Sequence, residues 1–355
     1  MKKIVLTGGG TAGHVTPNIA LTEKLKEENF KIDYIGSHNG IEKELLKNED
    51  FDYHSISSGK LRRYLSKENF TDIFKIVKGV GDARKILKKI KPDIIFSKGG
   101  FVTVPVVLAG KSLKIPVVIH ESDITCGLAN KISMPFSSAI CYTFPETELP
   151  KEKSFMTGTP IRKELFAGVR EKGLKIAGFK NDNPVILVMG GSLGSVTINN
   201  FLRESLDILL KKYNVIHLCG KNNLDENIKK DGYVQFEYIG EELPHLLKCA
   251  DIIISRAGAN SISEFLALKK PNLLIPLTLK ASRGDQILNA KSFQKQNFSM
   301  VLNEEDLDKE SLIKNINELY DKRDFYIENM SKTNANNGVA EVYKVIESVM
   351  NKNKK

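Results

Sequence analysis

Residues 4–17 read IVLTGGGTAGHVTP, and this stretch decides the fold of the chain. A short apolar run closed by glycines predicts a buried parallel strand that ends in a tight turn. Thr16 followed by Pro17 is typical of a helix start, with Thr16 as the N-cap, and an apolar helix face follows. Because a helix N-terminus is positive, the turn is predicted to accept an anion.

The glycine spacing satisfies a known phosphate-binding pattern. Gly8, Gly10 and Gly13 form G-x-G-x-x-G, which lets the backbone approach a diphosphate. A dinucleotide site also needs an acidic residue at the carboxyl end of the second strand. Asp33 has the right separation but lies inside the predicted strand KIDYIGS, so the sequence does not favour NAD.

Length and composition bound the class of protein. The chain has 355 residues, of which 41% are hydrophobic, and this suits two domains of ordinary size. We expect no secretory signal, and no uncharged apolar run is long enough to span a membrane. The four cysteines show no C-x-x-C pairing, which predicts reduced thiols in the core.

The net charge of +10 calls for an anionic partner or surface. Residues 60–91 hold eleven Lys or Arg against three acids, with apolar and aromatic residues between them. One interpretation is an ordinary helix whose core side carries Ile76, Val80, Ile86 and Leu87. The interpretation we favour is a patch that rests on anionic lipid headgroups. Its residues are Arg62, Arg63, Tyr64, Phe70, Phe74 and Lys78. No nucleic-acid motif accompanies the charge, so we expect no nucleic-acid partner.

The rest of the chain reads as two α/β halves. Strands alternate with helical stretches throughout, which predicts mostly parallel sheets with helices on both faces. A polar, lysine-rich stretch separates the halves, and residues 185–195 then repeat the opening pattern of strand and glycine turn. We predict an α/β protein of two Rossmann-like domains that face a central cleft. The expected domains are 1–160 and 161–339, with a terminal helix, 340–352, that packs back on the first.

The second half carries the better-defined anion chemistry. Ser192 lies in GGSLGS at a predicted helix N-terminus, which suits a diphosphate. Arg162 can supply a bidentate phosphate contact. Glu264 falls about one turn into a predicted helix, where it can accept hydrogen bonds from ribose hydroxyls. The alternative for Glu264 is an ordinary first-turn helix charge.

Seven stretches carry a resemblance over nearly the full length of the chain. They are TGGGTAGHVTP, SKGGFVTVP, HESDITCGLANKI, TGTPIR, GGSLGS, SRAGANSISE and GDQILNA, in this order. The sequence resembles the MurG family of peptidoglycan N-acetylglucosaminyltransferases. The resemblance implies the two-domain GT-B architecture and an inverting transfer of GlcNAc from UDP-GlcNAc to the C4 hydroxyl of MurNAc in lipid I. The implied products are lipid II and UDP, made at the cytoplasmic face of the cell membrane by a peripheral enzyme.

The resemblance also implies the site residues. The donor-binding set comprises Thr11, Ala12, Gly13, Asp123, Arg162, Ser192, Ile239, Ala259, Asn260, Glu264 and Gln286. The Ile239 backbone is expected at the uracil. Gly99, Gly100 and His120 are expected to serve the acceptor and its diphosphate. The chain departs from the family motif at Asp123, where Asn is common, because an ionised Asp offers only acceptors.

Charge considerations predict the mechanism. The acceptor hydroxyl must lose a proton while the departing diphosphate gains negative charge. His14 is the candidate base because its reference pKa of about 6.5 leaves it largely neutral at pH 7. The alternative is that His14 only orients the turn or contacts phosphate. Glu121 is the reserve base.

We expect no metal and no other cofactor. The D-x-D formed by Asp306 and Asp308 reads as loop and first-turn acids of a late helix rather than as metal ligands. Two other functions stay open at this stage. A non-hydrolysing UDP-GlcNAc 2-epimerase shares the fold and donor without needing a lipid acceptor, and a nucleotide-sugar binding module needs no turnover.

Overall fold

The structure is a computed structural model that describes residues 1–59, 67–191 and 194–353, without the side chains of 67–71 and 336. Its strands are β1 Lys2–Thr7, β2 Phe30–Ser37, β3 Asp52–Ile56, β4 Ile94–Ser97, β5 Val117–Glu121, β6 Ala139–Tyr142, β7 Ser154–Met156, β8 Val185–Met189, β9 Asn214–Leu218, β10 Tyr233–Phe236, β11 Ile252–Ser255, β12 Asn272–Leu274 and β13 Met300–Val301. Its α-helices are α1 Thr16–Glu27, α2 Ile41–Leu45, α3 Lys67–Ile90, α4 Thr103–Ser112, α5 Leu128–Ser133, α6 Arg170–Ala177, α7 Val196–Leu209, α8 Leu243–Cys249, α9 Ala259–Ala267, α10 Asp285–Lys295, α11 Lys309–Asp321, α12 Arg323–Ser331 and α13 Gly338–Lys352.

The chain divides into two compact units. Unit 1 comprises Met1–Arg162 together with Asn336–Lys355, and unit 2 comprises Lys163–Ala335. Arg162 is therefore the last residue of the first segment of unit 1.

Unit 1 is built on a seven-stranded sheet in the order β3-β2-β1-β4-β5-β6-β7, with every neighbouring pair parallel. Successive side chains of a strand point to opposite faces. Ile4 and Leu6 accordingly join one core cluster, whereas Val5 joins the other. Helices cover both faces, which is why the central strands are almost wholly apolar.

The terminal helix α13 belongs to the core of unit 1. Val342 and Ile346 are fully buried in the same cluster as Ile4 and Leu6. The hydroxyl of Tyr343 donates to Glu28 Oε2 at 3.1 Å and so links α13 to the end of α1. The last helix thus completes a hydrophobic layer that the first residues of the chain begin.

Unit 2 is built on a six-stranded parallel sheet in the order β10-β9-β8-β11-β12-β13. In both sheets the strand order reverses beside the first strand of the unit, between β1 and β4 and between β8 and β11. Ligands of open α/β sheets bind at the carboxyl ends of the strands that flank such a point. The topology therefore predicts that the residues after β1, β4, β8 and β11 form the ligand-binding positions of the two units.

The start of α1 differs from the sequence prediction. The N-cap of α1 is Val15, and Thr16 is the first helical residue without a side-chain capping hydrogen bond. A 3₁₀ turn, Ala12–His14, comes directly before the helix. The Val15 backbone N–H donates to Ala12 O at 2.9 Å, and Val15 O accepts from Asn18 N at 2.9 Å. The backbone of this turn leads directly into the helix, so Thr16 was wrongly predicted as the cap.

Other predictions from sequence are confirmed. Asp33 is buried inside β2, opposite Val5 of β1, and does not lie at the strand's carboxyl end. The cysteines are free thiols, and Cys141, Cys219 and Cys249 are buried. Among the described residues, no helix combines the length and apolar character needed to cross a bilayer.

Candidate active site

Two glycine turns meet at the carboxyl edge of the unit 1 sheet. One follows β1 at Gly8, and the other follows β4 and contains Gly99 and Gly100. The Gly9 backbone N–H donates to Gly99 O at 3.3 Å. A Cβ at position 100 would lie 2.1 Å from Gly9 O, and Gly100 has φ +90°, so only glycine fits. The two turns that sequence patterns singled out are therefore in direct contact.

The anion held by the first glycine turn is a side chain of the protein itself. Glu42 of α2 is fully buried, and its Oε2 accepts from the Gly10 backbone N–H at 3.1 Å. Its Oε1 accepts from Ser37 N at 2.9 Å and from the Ser37 hydroxyl. The Gly10 N–H is therefore already bonded to a carboxylate. Sequence reasoning missed Glu42, because nothing in its spacing sets it apart from other helix-start acids.

His14 lies where the two glycine turns meet. Its Nδ1 is 3.0 Å from Gly9 O and 3.2 Å from Thr11 Oγ1. A Cβ at Gly99 would lie 3.5 Å from His14 Cδ2, so the ring also borders the second turn. Because a carbonyl oxygen can only accept, Nδ1 carries the proton in this contact. The neutral ring then has its lone pair on Nε2, the nitrogen that can take a proton from a substrate.

Glu121 organises the loop after β5. Its Oε1 accepts from Asp123 N at 3.1 Å, and its Oε2 accepts from Gly127 N at 2.8 Å and from Asn130 Nδ2 at 3.0 Å. The side chain is buried. Asn130 also donates to His120 O at 3.0 Å, and sequence reasoning missed its part in fixing this loop. These bonds support a positioning role for Glu121.

His120 is a buried residue of β5. The side chain is fully buried, and its Nε2 donates to Gly158 O at 2.9 Å. Burial and the neighbouring Lys98 charge hold the pKa of His120 well below its ordinary value, so the ring is neutral. A buried, neutral imidazole cannot bind an exposed diphosphate through charge. The expected contact of His120 with the acceptor or its diphosphate stays a prediction, and a neutral ring would make it without a charge.

The corresponding turn of unit 2 follows β8. Ser192 of this turn, a predicted donor-binding residue, lies outside the described residues. Ser195 is the N-cap of α7, and its Oγ accepts from Ile198 N at 3.4 Å. A Cβ at Gly194 would lie 2.0 Å from Cys219 O, so this turn also packs too closely for any residue but glycine. The turn leads into a capped helix N-terminus, as the sequence predicts.

Arg256, directly after β11, ties the strand ends of unit 2 together. It is buried, and its guanidinium donates to Ser195 Oγ at 2.7 Å and to Ile275 O at 3.1 Å. It also forms an ion pair with the Glu304 carboxylate, which is itself largely buried. Sequence reasoning used the surrounding stretch SRAGANSISE without assigning this arginine. Its place directly after an apolar strand was the available signal.

Gln286 is held in a fixed orientation by the backbone. Its Oε1 accepts from Ala257 N at 3.3 Å and from Leu277 N at 3.2 Å. Both amides follow neighbouring strands of the sheet, β11 and β12. With the oxygen committed to the protein, the Nε2 hydrogens are the donors that Gln286 can offer to a ligand.

The other predicted donor residues lie after strands of unit 2. Ala259 begins α9, with Asn260 next to it and Glu264 further along the same helix. Ile239 lies in the loop after β10. Arg162 belongs to unit 1, and its Nε is a buried donor with no hydrogen-bond partner in the part of the chain that the structure describes. An unpaired guanidinium N–H suits an anionic ligand.

Thr11, Ala12 and Gly13 all belong to the stretch between β1 and α1. Ala12 begins the 3₁₀ turn that ends at His14, and Gly13 lies between the two. These residues are therefore neighbours of His14 in the chain, and their expected contact with the donor sugar stays a prediction.

The proposed membrane patch falls partly outside the described residues. Arg62, Arg63 and Tyr64 are not described, nor is the side chain of Phe70. On α3, Phe74 is 75% exposed and Val77 is 65% exposed, and Lys78 is exposed beside them. The opposite side of α3 packs on the core through Leu87, Val80 and Ile86. Helix α3 therefore has a core side, as the alternative interpretation predicts, and an exposed apolar side as well.

The two acids of the D-x-D motif, Asp306 and Asp308, lie at the start of α11. Asp308 is the N-cap of α11, accepting from Ser311 N at 2.7 Å, and Asp306 ends the 3₁₀ turn before it. This confirms the interpretation of the D-x-D as loop and helix-start acids. Within the described ranges, no group of three or more His, Cys, Asp or Glu could hold a metal ion.

Two parallel α/β units, each with a glycine turn at its topological switch point, match the GT-B fold of glycosyltransferases. Two family models match the chain: the glycosyltransferase family 28 N-terminal domain over residues 4–141 and the family 28 C-terminal domain over residues 185–346. The chain belongs to glycosyltransferase family 28 and, within it, to the MurG family.

Individual relatives support this assignment. The chain is 58% identical over 349 residues to a Clostridium tetani protein, covering 98% of each. That protein is named UDP-N-acetylglucosamine--N-acetylmuramyl-(pentapeptide) pyrophosphoryl-undecaprenol N-acetylglucosamine transferase. The crystal structure of Acinetobacter baumannii MurG aligns with a TM-score of 0.75 at 25% identity, over 98% of this chain and 100% of that one.

A further structural neighbour has another activity. The UDP-GlcNAc 2-epimerase of Neisseria meningitidis, bound to UDP-GlcNAc, aligns with a TM-score of 0.70 over 98% of this chain and 100% of that chain. Its sequence identity is 15%, so this likeness shows the fold alone.

Proposed function

We propose that this chain transfers GlcNAc from UDP-GlcNAc to the C4 hydroxyl of MurNAc in lipid I, with inversion, giving lipid II and UDP. The names of its close relatives supply the substrates. The structural observation that carries the proposal is the contact of His14 Nδ1 with Gly9 O, which leaves Nε2 as the basic nitrogen. A base in this state is what the acceptor hydroxyl requires.

The reaction needs one proton transfer and one bond exchange. His14 Nε2 takes the proton of the C4 hydroxyl while the oxygen attacks the anomeric carbon on the side opposite UDP. The bond from the anomeric carbon to UDP breaks, and the diphosphate leaves with the electron pair. Arg162 and the N-terminus of α7 stabilise the negative charge that grows on it. Glu121 holds the loop after β5 in place.

The donor is recognised by residues after the strands of unit 2. The Ile239 backbone contacts the uracil, and Glu264 accepts from the ribose hydroxyls. Gln286 donates from its fixed amide, with Ser192, Ala259 and Asn260 completing this side of the site. By the resemblance, Thr11, Ala12, Gly13 and Asp123 are assigned to the donor sugar.

The lipid acceptor brings unit 1 to the cytoplasmic face of the cell membrane. We assign this contact to the exposed side of α3, where Phe74 and Val77 insert among the headgroups and Lys78 attracts anionic lipid. Arg62, Arg63, Tyr64 and Phe70 extend the same patch in the sequence. Gly99 and Gly100 receive the acceptor diphosphate through their backbone.

The decisive test measures UDP release from UDP-GlcNAc with and without a lipid I analogue, each in the presence and absence of EDTA. We expect release to depend on the acceptor and to persist in EDTA. Conversion of UDP-GlcNAc to UDP-ManNAc without any acceptor and without net release of UDP would identify a non-hydrolysing 2-epimerase instead. Binding of UDP-GlcNAc without any turnover would identify a binding module.

A further inference from the structure

The candidate base and a buried carboxylate of unit 1 bind opposite ends of one peptide unit. The carbonyl of Gly9 and the N–H of Gly10 belong to the peptide bond that joins these two residues. Gly9 O accepts from His14 Nδ1 at 3.0 Å, and Gly10 N donates to Glu42 Oε2 at 3.1 Å. A continuous chain of hydrogen bonds therefore runs from the Glu42 carboxylate, through a single peptide, to the imidazole ring.

The packing around Glu42 fits this arrangement. A Cβ at Gly9 would lie 2.6 Å from Glu42 Cδ, so the carboxyl group packs directly against the turn. The side chain is fully buried, and three neutral groups donate to it: the N–H of Gly10 and the N–H and hydroxyl of Ser37. Neutral donors orient toward the negative charge without cancelling it, and its field is strong in a low-dielectric interior. The carboxylate therefore polarises the peptide to which it is bonded.

Two groups compete for the Nδ1 atom of His14. Gly9 O requires a proton on Nδ1, because a carbonyl oxygen can only accept. Thr11 Oγ1 lies 3.2 Å from the same nitrogen and can donate its own hydrogen to an unprotonated Nδ1. If Thr11 donated, the ring proton would lie on Nε2, and that nitrogen could not take a proton from a substrate. The strength of Gly9 O as an acceptor therefore decides whether the neutral ring is a base at Nε2.

We propose that Glu42 is a positioning residue for His14 and acts through the Gly9–Gly10 peptide, an inference that rests on the function proposed above. Hydrogen bonds in a chain polarise one another, so the bond to the carboxylate strengthens Gly9 O as an acceptor. This effect holds the ring proton on Nδ1 and the lone pair on Nε2. When Nε2 takes the proton of the acceptor hydroxyl, the same carboxylate stabilises the positive charge of the ring. The carboxylate and the imidazole, which are in direct contact in Ser-His-Asp triads, are here joined by a peptide.

NMR of the imidazole nitrogens tests the tautomer directly and needs no turnover. Wild type and Glu42→Gln are labelled with ¹⁵N at their six histidines and compared at about pH 8, where an ordinary histidine is neutral. The signals that disappear in His14→Ala belong to His14. Gln has one acceptor oxygen and no charge, so we expect the Nε2–H form of His14 to rise from a minor species to at least about half of the population. An unchanged tautomer in Glu42→Gln would overturn the proposal.

Removal of the competing hydroxyl provides a rescue. Thr11→Val keeps the shape of the side chain but cannot donate to Nδ1. In the Glu42→Gln background we expect Thr11→Val to return the ring proton of His14 to Nδ1, because Gly9 O is the competitor that remains. A double variant that keeps the Nε2–H form would contradict the mechanism proposed for Glu42.

Kinetics separates action through His14 from general damage to the turn. We expect Glu42→Gln alone to lower kcat for acceptor-dependent UDP release about 10- to 100-fold, less than loss of the base itself because a peptide intervenes. In the His14→Ala background the same substitution should change kcat by less than about two-fold. Equal losses in both backgrounds would overturn the proposal, because Glu42 would then support the turn and not the base.

Two variants serve as controls. Glu44→Gln changes an exposed acid of the same helix, α2, and should leave the His14 tautomer and kcat unchanged. Ile346→Ala removes buried methyl groups from the core of unit 1, so it lowers stability without altering a hydrogen bond of the turn. Its His14 tautomer should match that of the wild type. A tautomer shift in Ile346→Ala as large as in Glu42→Gln would assign the effect to lost stability and overturn the proposal.

A second variant covers the case in which Glu42→Gln does not fold. Glu42→Asp keeps the charge but removes one methylene, which draws the carboxylate away from the Gly10 N–H. The same tautomer shift is expected, and its absence would overturn the proposal. Failure of the proposed function appears separately, as the absence of acceptor-dependent UDP release from the wild-type protein, and does not alter the tautomer result.

Discussion

The two glycine turns at the switch points of the two sheets differ in what they hold. In unit 1 the turn after β1 binds the buried Glu42 carboxylate and the His14 ring. In unit 2 the turn after β8 leads into α7, whose N-cap Ser195 is held by the cationic Arg256. The first turn therefore already has its anion, whereas the second presents a helix N-terminus beside an arginine whose charge is paired with Glu304. Under the function proposed above, one backbone pattern serves proton transfer in one unit and anion binding in the other.

The largest effect that this comparison predicts is on catalysis at His14. We expect His14→Ala to lower kcat by about 10²–10⁴-fold because the general base is lost, with little change in the KM for UDP-GlcNAc. Steady-state UDP release measures both constants, and His38→Ala, an exposed histidine of unit 1, is the matched control. Loss of donor affinity in His14→Ala would break the comparison, because the first turn would then serve the donor.

The next largest effect concerns anion binding by Arg162. Arg162→Lys keeps the charge but removes the planar fork, so we expect the Kd for UDP to rise about 10–100-fold. Titration calorimetry with UDP measures this change. Arg170→Lys is the control, since Arg170 is engaged with Asp251 and the Cys249 carbonyl within unit 2. An unchanged Kd in Arg162→Lys would remove Arg162 from the anion site.

A third prediction tests the carboxylate beneath the first turn. Glu42→Gln replaces an acceptor oxygen with an NH₂ group among backbone donors, so the free energy of unfolding should fall by about 2 kcal/mol. Urea denaturation gives the value. Glu44→Gln, an exposed neighbour on the same helix, should leave stability unchanged. A stable Glu42→Gln variant would show that the turn does not depend on its internal anion.

The buried lysines predict how stability changes with pH. The pKa of Lys98 is about 8 in the folded protein, below its ordinary value of 10.5. The unfolded state therefore binds more protons between these values, and stability should increase as pH rises through them. Relative to Lys98→Met, we expect the wild type to gain about 2 kcal/mol between pH 7 and 10. Urea denaturation at each pH measures the difference.

Lys270→Met should remove a similar pH dependence, because the pKa of Lys270 is also about 8. The two lysines would then contribute alike to the pH dependence of stability. A wild type and Lys98→Met with parallel pH profiles would contradict a buried, charged Lys98.

The smallest effect is on membrane binding by α3. Phe74→Ser removes a side chain that is 75% exposed, and we expect binding to vesicles with anionic lipid to weaken by about 1 kcal/mol, roughly five-fold. Vesicle sedimentation measures this. Phe325→Ser, on an exposed side chain of unit 2, should not change binding. Equal weakening by both variants would place the membrane contact elsewhere.

The sequence predicts the backbone of this protein better than the side-chain contacts of its site. Apolar runs ended by glycine identify β1, β4, β8 and their turns because strand burial and turn geometry are local properties. Helix α7 begins at Val196, as its pattern predicts. The start of α1 was predicted wrongly, because a 3₁₀ turn of backbone hydrogen bonds occupies the place where a side-chain cap was expected.

The site residues that the sequence patterns did not identify were missed for one physical reason. Glu42, Asn130 and Arg256 are each polar, buried and bonded to partners 9 to 61 positions away in sequence. Their roles depend on which strand ends meet, and this follows from the sheet order rather than from local pattern. The bond from His120 Nε2 to Gly158 O, 38 positions further along the chain, is likewise a contact that local pattern does not predict.

The placement of α13 in the core of unit 1 bears on the order in which the chain acquires structure during synthesis. A ribosome delivers the residues of unit 2 as one uninterrupted segment, so that unit can finish folding while translation continues. In unit 1, by contrast, one hydrophobic layer stays uncovered until Val342 and Ile346 have left the ribosome. The half that is made first is therefore the last to mature, and a nascent chain arrested before residue 338 exposes the apolar residues of α1 to chaperones.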